Sequence, residues 1–259
     1  MKILIAGTSN IGALKSAAPR LANEFPGAEI TFYGLPGGKF NEVSTRGTAF
    51  GPRRAETDLV AMSKRINGVP RIDLAPFDRV FVITDTLGLA PILWLAARTD
   101  VVDWPSRRGV PLISDAAFEE TIAVSIAERT DHLRSQFADI PLHVARSPYP
   151  TQAVARQGPH LQKPYDEIAK HPEAARIEAM YNTALTAALT ARDMVFVPQP
   201  EDTIAQPFLT LESCGIGALD FRNGESVLDD HRHMNADFGA SLIHAFALSI
   251  GLRQTPTQP

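Results

Sequence analysis

The sequence predicts an α/β protein of three layers, with helices on both faces of a central parallel sheet of about five strands. Short apolar runs rich in β-branched residues recur along the chain, and most are apolar at successive positions. That pattern is typical of strands buried on both faces. Segments with helical periodicity separate these runs. Because strand and helix alternate throughout, we expect a single domain over residues 1–259.

The expected strands are apolar runs of four to six residues with little internal polarity. They are KILIAG (2–7), EITFYG (29–34), RVFVIT (79–84), VPLIS (110–114), PLHVAR (141–146) and MVFVPQ (194–199). The first run is short and is followed at once by Gly, Thr, Ser and Asn, so we interpret it as a buried strand and not as a signal peptide.

The expected helices have apolar residues at helical spacing. They cover 11–25, 115–137, 173–193 and 236–250. The first places Leu14, Leu21 and Phe25 along one face, and the second begins at Asp115, a favourable capping residue. The helices would therefore alternate with the strands and cover the sheet on both sides.

Two long segments interrupt the alternation. Residues 37–58 and 147–174 are rich in Gly, Pro and polar residues, and each follows an expected strand. In open α/β sheets the loops at the carboxyl ends of the strands form the ligand crevice. We therefore expect these two segments to be crevice loops.

Composition and charge exclude several classes of protein. The net charge is −4 and the basic residues are scattered, which argues against nucleic-acid binding. No stretch approaches the roughly 20 apolar residues of a membrane span. Cys214 is the only cysteine, so an intramolecular disulfide is impossible and a reducing compartment is expected. These features predict a cytoplasmic protein.

Two polar blocks at opposite ends of the chain suggest a catalytic pair. Ser9, in GTSNIG, follows the first strand, where the next helix would offer backbone N–H groups to an oxyanion. A serine nucleophile needs a base, and DDHRHMN (229–235) provides one. The spacing of Asp230 and His233 lets the carboxylate orient the imidazole.

These blocks resemble the SGNH (GDSL-type) esterase and acyltransferase superfamily, and the similar order of elements covers most of the chain. The resemblance implies an SGNH-like fold with flavodoxin-like topology, in which Ser9 is the nucleophile, His233 the base and Asp230 its orienting partner. It also implies an oxyanion hole formed by the backbone N–H of Ser9 together with that of Gly37 or Gly38. The implied reaction is hydrolysis or transfer of an acyl group from a small-molecule or carbohydrate ester, without a cofactor.

One block departs from the family pattern. The family has an oxyanion-binding Asn after the third strand, whereas this chain has VITDTLGL (82–89). The hydroxyl of Thr86 is the expected substitute, and an inward-facing Asp85 would oppose a developing negative charge. The departure favours a second interpretation, a weak or inactive SGNH-like module that binds a sugar or acyl ligand.

Three further patterns have more ordinary interpretations. GTSNIG could bind a phosphate of a nucleotide at a helix N-terminus, but it lacks the third glycine of a dinucleotide fingerprint. Asp229 and His231 are expected on the solvated side of their turn; H-R-H (231–233) with Asp230 could also form a metal cluster, but no second cluster with ligand spacing exists, so we expect no metal. Arg53 and Arg54 are expected to form a solvated loop face, and because they fall in the first crevice segment they could instead hold an anionic substrate group.

Overall fold

A central sheet organises the part of the chain that the computed structural model describes, which is residues 1–105, 108–137, 140–156, 164–165, 167–220, 222, 224–226 and 231–252. The strands are β1 (Lys2–Gly7), β2 (Glu29–Gly34), β3 (Ser44–Arg46), β4 (Ala49–Gly51), β5 (Ile72–Asp73), β6 (Arg79–Thr84), β7 (Asp100–Val101), β8 (Leu112–Ile113), β9 (Leu142–Arg146), β10 (Met194–Phe196), β11 (Ile204–Gln206) and β12 (Leu209–Thr210). The helices are α1 (Ile11–Glu24), α2 (Thr57–Asn67), α3 (Ala90–Arg98), α4 (Asp115–Phe137), α5 (Ala174–Thr190) and α6 (Ala236–Ser249).

Within these ranges the central sheet has five strands in the order β10-β9-β6-β1-β2, and all neighbours are parallel. The chain starts in the middle of the sheet, moves to β2 on one side, and then builds β6, β9 and β10 on the other. Connections that leave β1 and β6 in opposite directions open a crevice at their carboxyl ends. The predicted α/β fold with a five-stranded parallel sheet is confirmed.

Alternate side chains of each strand enter two separate cores. On β1, Leu4 and Ala6 belong to one core, while Ile3 and Ile5 belong to the other. The first core is covered mainly by α4 and α5, and the second by α1 and α6. These two cores explain why the strand runs are apolar at every position instead of alternating.

The second core is closed by close contacts between α6 and the sheet. The rings of Phe81 on β6 and Phe246 on α6 are stacked with centroids 4.5 Å apart. Gly239 on α6 packs against the backbone at Ala13 of α1, with no room for a larger side chain. None of the helices in the described ranges has the length and apolarity needed to cross a membrane.

The segment VPLIS is not part of the central sheet. Only Leu112 and Ile113 are extended, and they pair with β7 in a separate two-stranded sheet. Leu112 is exposed, so this short strand is not covered on both faces as the central strands are. Apolar content alone does not show whether a short run will find partners on both sides.

The segment 37–58, expected to be a crevice loop, contains regular structure. Residues 37–42 form a 3₁₀ helix, and β3 and β4 form an antiparallel hairpin that also pairs with β5. Phe40 and Phe50 are fully buried and pack against Phe137 of α4. These aromatic anchors fix the segment over the first core and hold its beginning near the carboxyl end of β1.

Candidate active site

A cavity of about 280 Å³ lies at the carboxyl ends of β1, β6 and β9, where the sheet order opens a crevice. Its walls come from both ends of the chain and from the segments after the inner strands. The lining residues are Thr8, Ser9, Asn10, Gly37, Asp85, Gly88, Leu89, Arg146, Ser147, Pro148, Pro150, Tyr165, Arg232 and His233.

Ser9 lies in the tight turn between β1 and α1. The N–H of Thr8 donates to the carbonyl of Ile83, and the carbonyl of Ser9 accepts from Gly12 at 3.0 Å, which fixes the turn. Gly7 is needed before it, because a Cβ atom there would collide with the backbone of Ile83. Ser9 is half-buried, and neither its hydroxyl nor its N–H donates a hydrogen bond within the described part of the chain. Both groups are therefore available to a ligand.

His233 lines the same cavity as Ser9 and lies two residues before the cap of α6. The Asn235 side chain accepts from the N–H of Phe238 at 3.1 Å, and its amide donates to the carbonyls of Ser213 and Ile216. These bonds fix the segment that carries His233. No hydrogen bond joins His233 to Ser9, and such catalytic contacts are often long before substrate binds.

Asp230, the predicted orienting carboxylate, lies outside the described residues, as does Asp229. Its neighbour His231 is buried, and the carbonyl of His231 accepts from the N–H of Thr151 at 2.9 Å. This bond connects the C-terminal block to the segment after β9. The structure therefore brings Ser9 and His233 to one cavity, and the role of Asp230 stays a prediction.

Of the predicted oxyanion-hole residues, Ser9 and Gly37 line the cavity. Gly37 has φ 49°, a conformation that favours glycine, and its N–H makes no hydrogen bond within the described residues. Gly38 is the next residue of the 3₁₀ helix and is not part of the lining. Two backbone N–H groups, from Ser9 and Gly37, thus belong to cavity-lining residues without another partner.

Thr86 lies away from the lining, in a small polar network. Its hydroxyl donates to Asn41 Oδ1 at 2.8 Å and accepts from the hydroxyl of Thr84 at 2.9 Å. The amide of Asn41 also donates to Asp85 Oδ1 at 3.3 Å. The network holds the turn after β6. Asp85 is exposed and lines the cavity, whereas Thr86 does not.

The sequence patterns did not single out several residues of the cavity. Asn10 follows Ser9, and its amide donates to the hydroxyl of Ser147 at 3.1 Å. Arg146 ends β9 with only 5% of its surface exposed, and Tyr165 and Arg232 complete the wall. Burial raises the pKa of Tyr165, so this phenol stays neutral near pH 7. Of these residues, only Arg146 had a signal in the sequence, because a charged arginine at the end of an otherwise apolar strand is unusual.

Other candidate residues lie elsewhere. Arg53 and Arg54 are exposed and do not line the cavity. Across the described ranges, no group of three or more His, Cys, Asp or Glu side chains is arranged to hold a metal ion. Cys214 is buried, and burial raises the pKa of its thiol. The chemistry available at the cavity therefore comes from a serine, a histidine, two arginines and backbone N–H groups.

Comparisons with known proteins give structural likenesses at low sequence identity. No family model matches the chain, and no curated protein matches it. The solved structures that it resembles include a carbohydrate esterase family 2 enzyme with a carbohydrate binding domain from Corynascus thermopiles (Myceliophthora fergusii), with 14% identity, a TM-score of 0.35, and coverage of 96% of this chain and 66% of that chain. The chain thus spans slightly less than two thirds of that enzyme.

Two further likenesses cover nearly the whole of both chains. A lipase/acylhydrolase from Enterococcus faecalis is 14% identical with a TM-score of 0.39, over 100% of this chain and 99% of that chain. A phospholipase A1 from Streptomyces albidoflavus is 8% identical with a TM-score of 0.36, over 96% and 98%. Since all these TM-scores lie below 0.5, the likenesses carry no functional weight, and function is inferred from the cavity itself.

Proposed function

We propose that the protein is a serine-dependent acyl-ester hydrolase or acyltransferase of the SGNH type. The observation that carries the proposal is that Ser9 and His233, from opposite ends of the chain, line one cavity at the carboxyl edge of the sheet. A serine hydroxyl and backbone N–H groups that have no partner among the described residues, together with a histidine in the same cavity, are the components of nucleophilic acyl transfer. The substrate is a small-molecule or carbohydrate-linked ester.

In the proposed reaction, the Ser9 hydroxyl attacks the ester carbonyl and its proton passes to His233. The N–H groups of Ser9 and Gly37 stabilise the oxyanion of the tetrahedral intermediate. The intermediate collapses, the C–O bond to the alcohol breaks, and His233 returns the proton to the leaving alkoxide. Water or a second alcohol then releases the acyl group from Ser9, which distinguishes a hydrolase from a transferase. Asp230 is assigned the role of orienting His233.

The experiment is a comparison of hydrolysis rates with a short-chain 4-nitrophenyl ester. Ser9→Ala and His233→Gln should each lower kcat by at least about 10⁴-fold, because nucleophile and base act as one unit. Ser135→Ala, at an exposed serine on α4, is the matched control and should retain the wild-type rate. Equal rates in Ser9→Ala and the wild type would reject the mechanism.

A specific observation favours a second candidate function. Asp85 lines the cavity where the family resemblance expects an amide donor, and a carboxylate there opposes an oxyanion. A binding module for an acyl or sugar ligand would tolerate this residue. A fluorophosphonate probe discriminates, since covalent labelling of Ser9 supports the enzyme and ligand binding without labelling supports the module.

A further inference from the structure

Arg146 is a buried arginine in the cavity that the proposed reaction does not use. It is the last residue of β9, at the same register as Thr84 of β6. Its Nη1 donates to the carbonyl of Ser147 at 3.0 Å, while its Nε is buried without a hydrogen-bond partner in the described part of the chain. The guanidinium lies over the ring of Tyr149, with its carbon 3.2 Å from the ring centre. The side chain is therefore held in place with donor capacity left over.

Among the described residues, no Asp or Glu forms an ion pair with Arg146. Arg108 shows the usual structural solution, since it bonds the buried Asp100 at 3.0 Å. A buried guanidinium stays charged, and burying a charge without a partner is costly. A site that keeps such a charge at a cavity wall is prepared for an anion from outside.

The rest of the lining is compatible with an anionic ligand. Arg232 contributes a second guanidinium, whose Nε donates to His231 Nε2 at 3.2 Å. Asp85 is the acidic residue of the lining and is exposed at the turn after β6. Arg146, Arg232 and Asp85 are thus the charged side chains of the described lining, and an anion site would depend on Arg146.

We propose that Arg146 binds an anionic group, a carboxylate or a phosphate, on the ester that this cavity accepts. The planar guanidinium matches both oxyanions in a two-point arrangement. That the bound anion belongs to an ester rests on the proposed function. Binding of an anion by Arg146 does not depend on the reaction. Such binding narrows the substrate from any small ester to one that carries a negatively charged group which can reach Arg146 within the cavity.

The first test measures anion binding without catalysis. Adipate and inorganic phosphate are titrated calorimetrically into Ser9→Ala and into Ser9→Ala/Arg146→Gln. Loss of a charge-assisted bond should weaken binding of the preferred anion about 10- to 100-fold. Tighter adipate binding identifies a carboxylate, and tighter phosphate binding identifies a phosphate. Equal affinities in the two variants, or no binding of either anion at millimolar concentration, would overturn the proposal.

Two more variants separate the charge from the fold. Ser9→Ala/Arg146→Lys keeps the charge and loses the planar guanidinium, so its affinity for the anion should lie between those of Ser9→Ala and Ser9→Ala/Arg146→Gln. If the Arg146→Gln protein does not fold, the Arg146→Lys protein provides the test. Arg79→Gln removes an exposed arginine at the amino end of β6, far from the cavity, and should bind as tightly as the parent. Thermal unfolding of each variant shows whether it is folded.

A kinetic measurement distinguishes failure of this inference from failure of the proposed function. Mono(4-nitrophenyl) adipate and 4-nitrophenyl hexanoate have acyl chains of equal length and differ in the terminal carboxylate. If Ser9→Ala hydrolyses esters as fast as the wild type while Arg146-dependent anion binding persists, the enzyme proposal fails and the anion site stands. If hydrolysis requires Ser9 but the affinity for the anion does not change when Arg146 is replaced, only the proposed anion site is overturned.

Discussion

Asp85 is a carboxylate in the cavity of the proposed chemistry. Its side chain lines the cavity and accepts a hydrogen bond from the amide of Asn41 at 3.3 Å. The oxyanion that forms when Ser9 attacks would develop near this charge, in an environment that screens it less than bulk water does. If the proposed reaction occurs, the charge of Asp85, which follows β6, should therefore lower its rate.

We expect Asp85→Asn to raise kcat for a neutral 4-nitrophenyl ester by about tenfold or more, because it removes a repulsive charge and adds an amide donor. Asp193→Asn is the matched control, since Asp193 is exposed at the amino end of β10 with φ 54°, a conformation that Asn also adopts. The measurement is kcat under saturating substrate. A rate that is unchanged or lower in Asp85→Asn would show that this carboxylate does not face the reacting oxygen.

At the scale of elements, the packing of two helices brings the N-terminal and C-terminal segments of the chain together. α1 begins two residues after Ser9, and α6 begins three residues after His233. The helices pack against each other in the core that contains Leu14, Ile243 and Phe246. The meeting of the two catalytic candidates thus follows from helix packing and from the order of the strands.

We expect Gly239→Ala to destabilise the protein, although alanine favours helices more than glycine does by about 1 kcal/mol. A methyl group at Gly239 would collide with the backbone at Ala13, and such overpacking costs about 1–3 kcal/mol. Urea unfolding followed by circular dichroism measures the change. Leu248→Ala, at an exposed position of the same helix, is the control and should change stability by less than about 0.5 kcal/mol.

The rate of ester hydrolysis in the same two variants tests whether the packing of α1 against α6 positions the candidate site. Gly239→Ala should lower ester hydrolysis more than Leu248→Ala, because it moves the helices that carry Ser9 and His233. A stable Gly239→Ala variant with wild-type activity would show that the spacing between α1 and α6 does not position the site.

The long elements were predictable because each carried its own periodicity. β1, β2 and β6 have the predicted bounds, and α4 covers the predicted residues 115–137. The two apolar faces of these strands are local signals. The expected Asp115 cap was wrong, since Asp115 is the first helical residue and the hydroxyl of Ser114 accepts from the N–H of Ala117 at 3.1 Å. The hairpin within 37–58 was missed because its stability comes from Phe50 stacking on Phe137, a contact across many residues that no local pattern shows.

Only part of the candidate site could be predicted from the sequence, as was the case for the fold. Ser9 and His233 stood in recognisable blocks, whereas Arg146 was the last residue of a strand pattern and Asn41 lay in the 3₁₀ helix that the sequence did not predict. Which side chains share a cavity depends on sheet order, and sheet order is set by long-range pairing. Motifs therefore located the candidate reacting groups, and the fold was needed to find the residues that surround them.

At the scale of the whole molecule, two histidines are buried in the two cores. His143 on β9 lies edge-on to Phe246, and burial followed by the positive charge of Arg79 lowers its pKa. His171 packs against Trp104 on the other side of the sheet, and burial followed by the charge of Arg108 lowers its pKa. The folded protein keeps both rings neutral under conditions in which the unfolded chain would protonate them.

We expect the free energy of unfolding to fall as the pH is lowered from about 7.5 to 5.5. Because the folded-state pKa values are depressed, the contribution is complete above the unfolded pKa of about 6.5 and is lost as pH falls through the folded-state values. Carboxylates change the stability at lower pH than these histidines do. The hydrogen bond from Arg192, for example, lowers the pKa of Asp131 below its ordinary value. Urea unfolding at several pH values measures the slope.

Replacing His143 and His171 by Leu removes both titrations, so the slope between about pH 7.5 and 5.5 should flatten. Phe238→Leu removes buried surface from α6 without a titratable group, so it should lower stability at every pH and keep the wild-type slope. A double histidine variant with the full wild-type slope would assign the pH dependence to other groups. Since the two rings lie in opposite cores, each single variant should remove its own share of the slope, and the two shares should add.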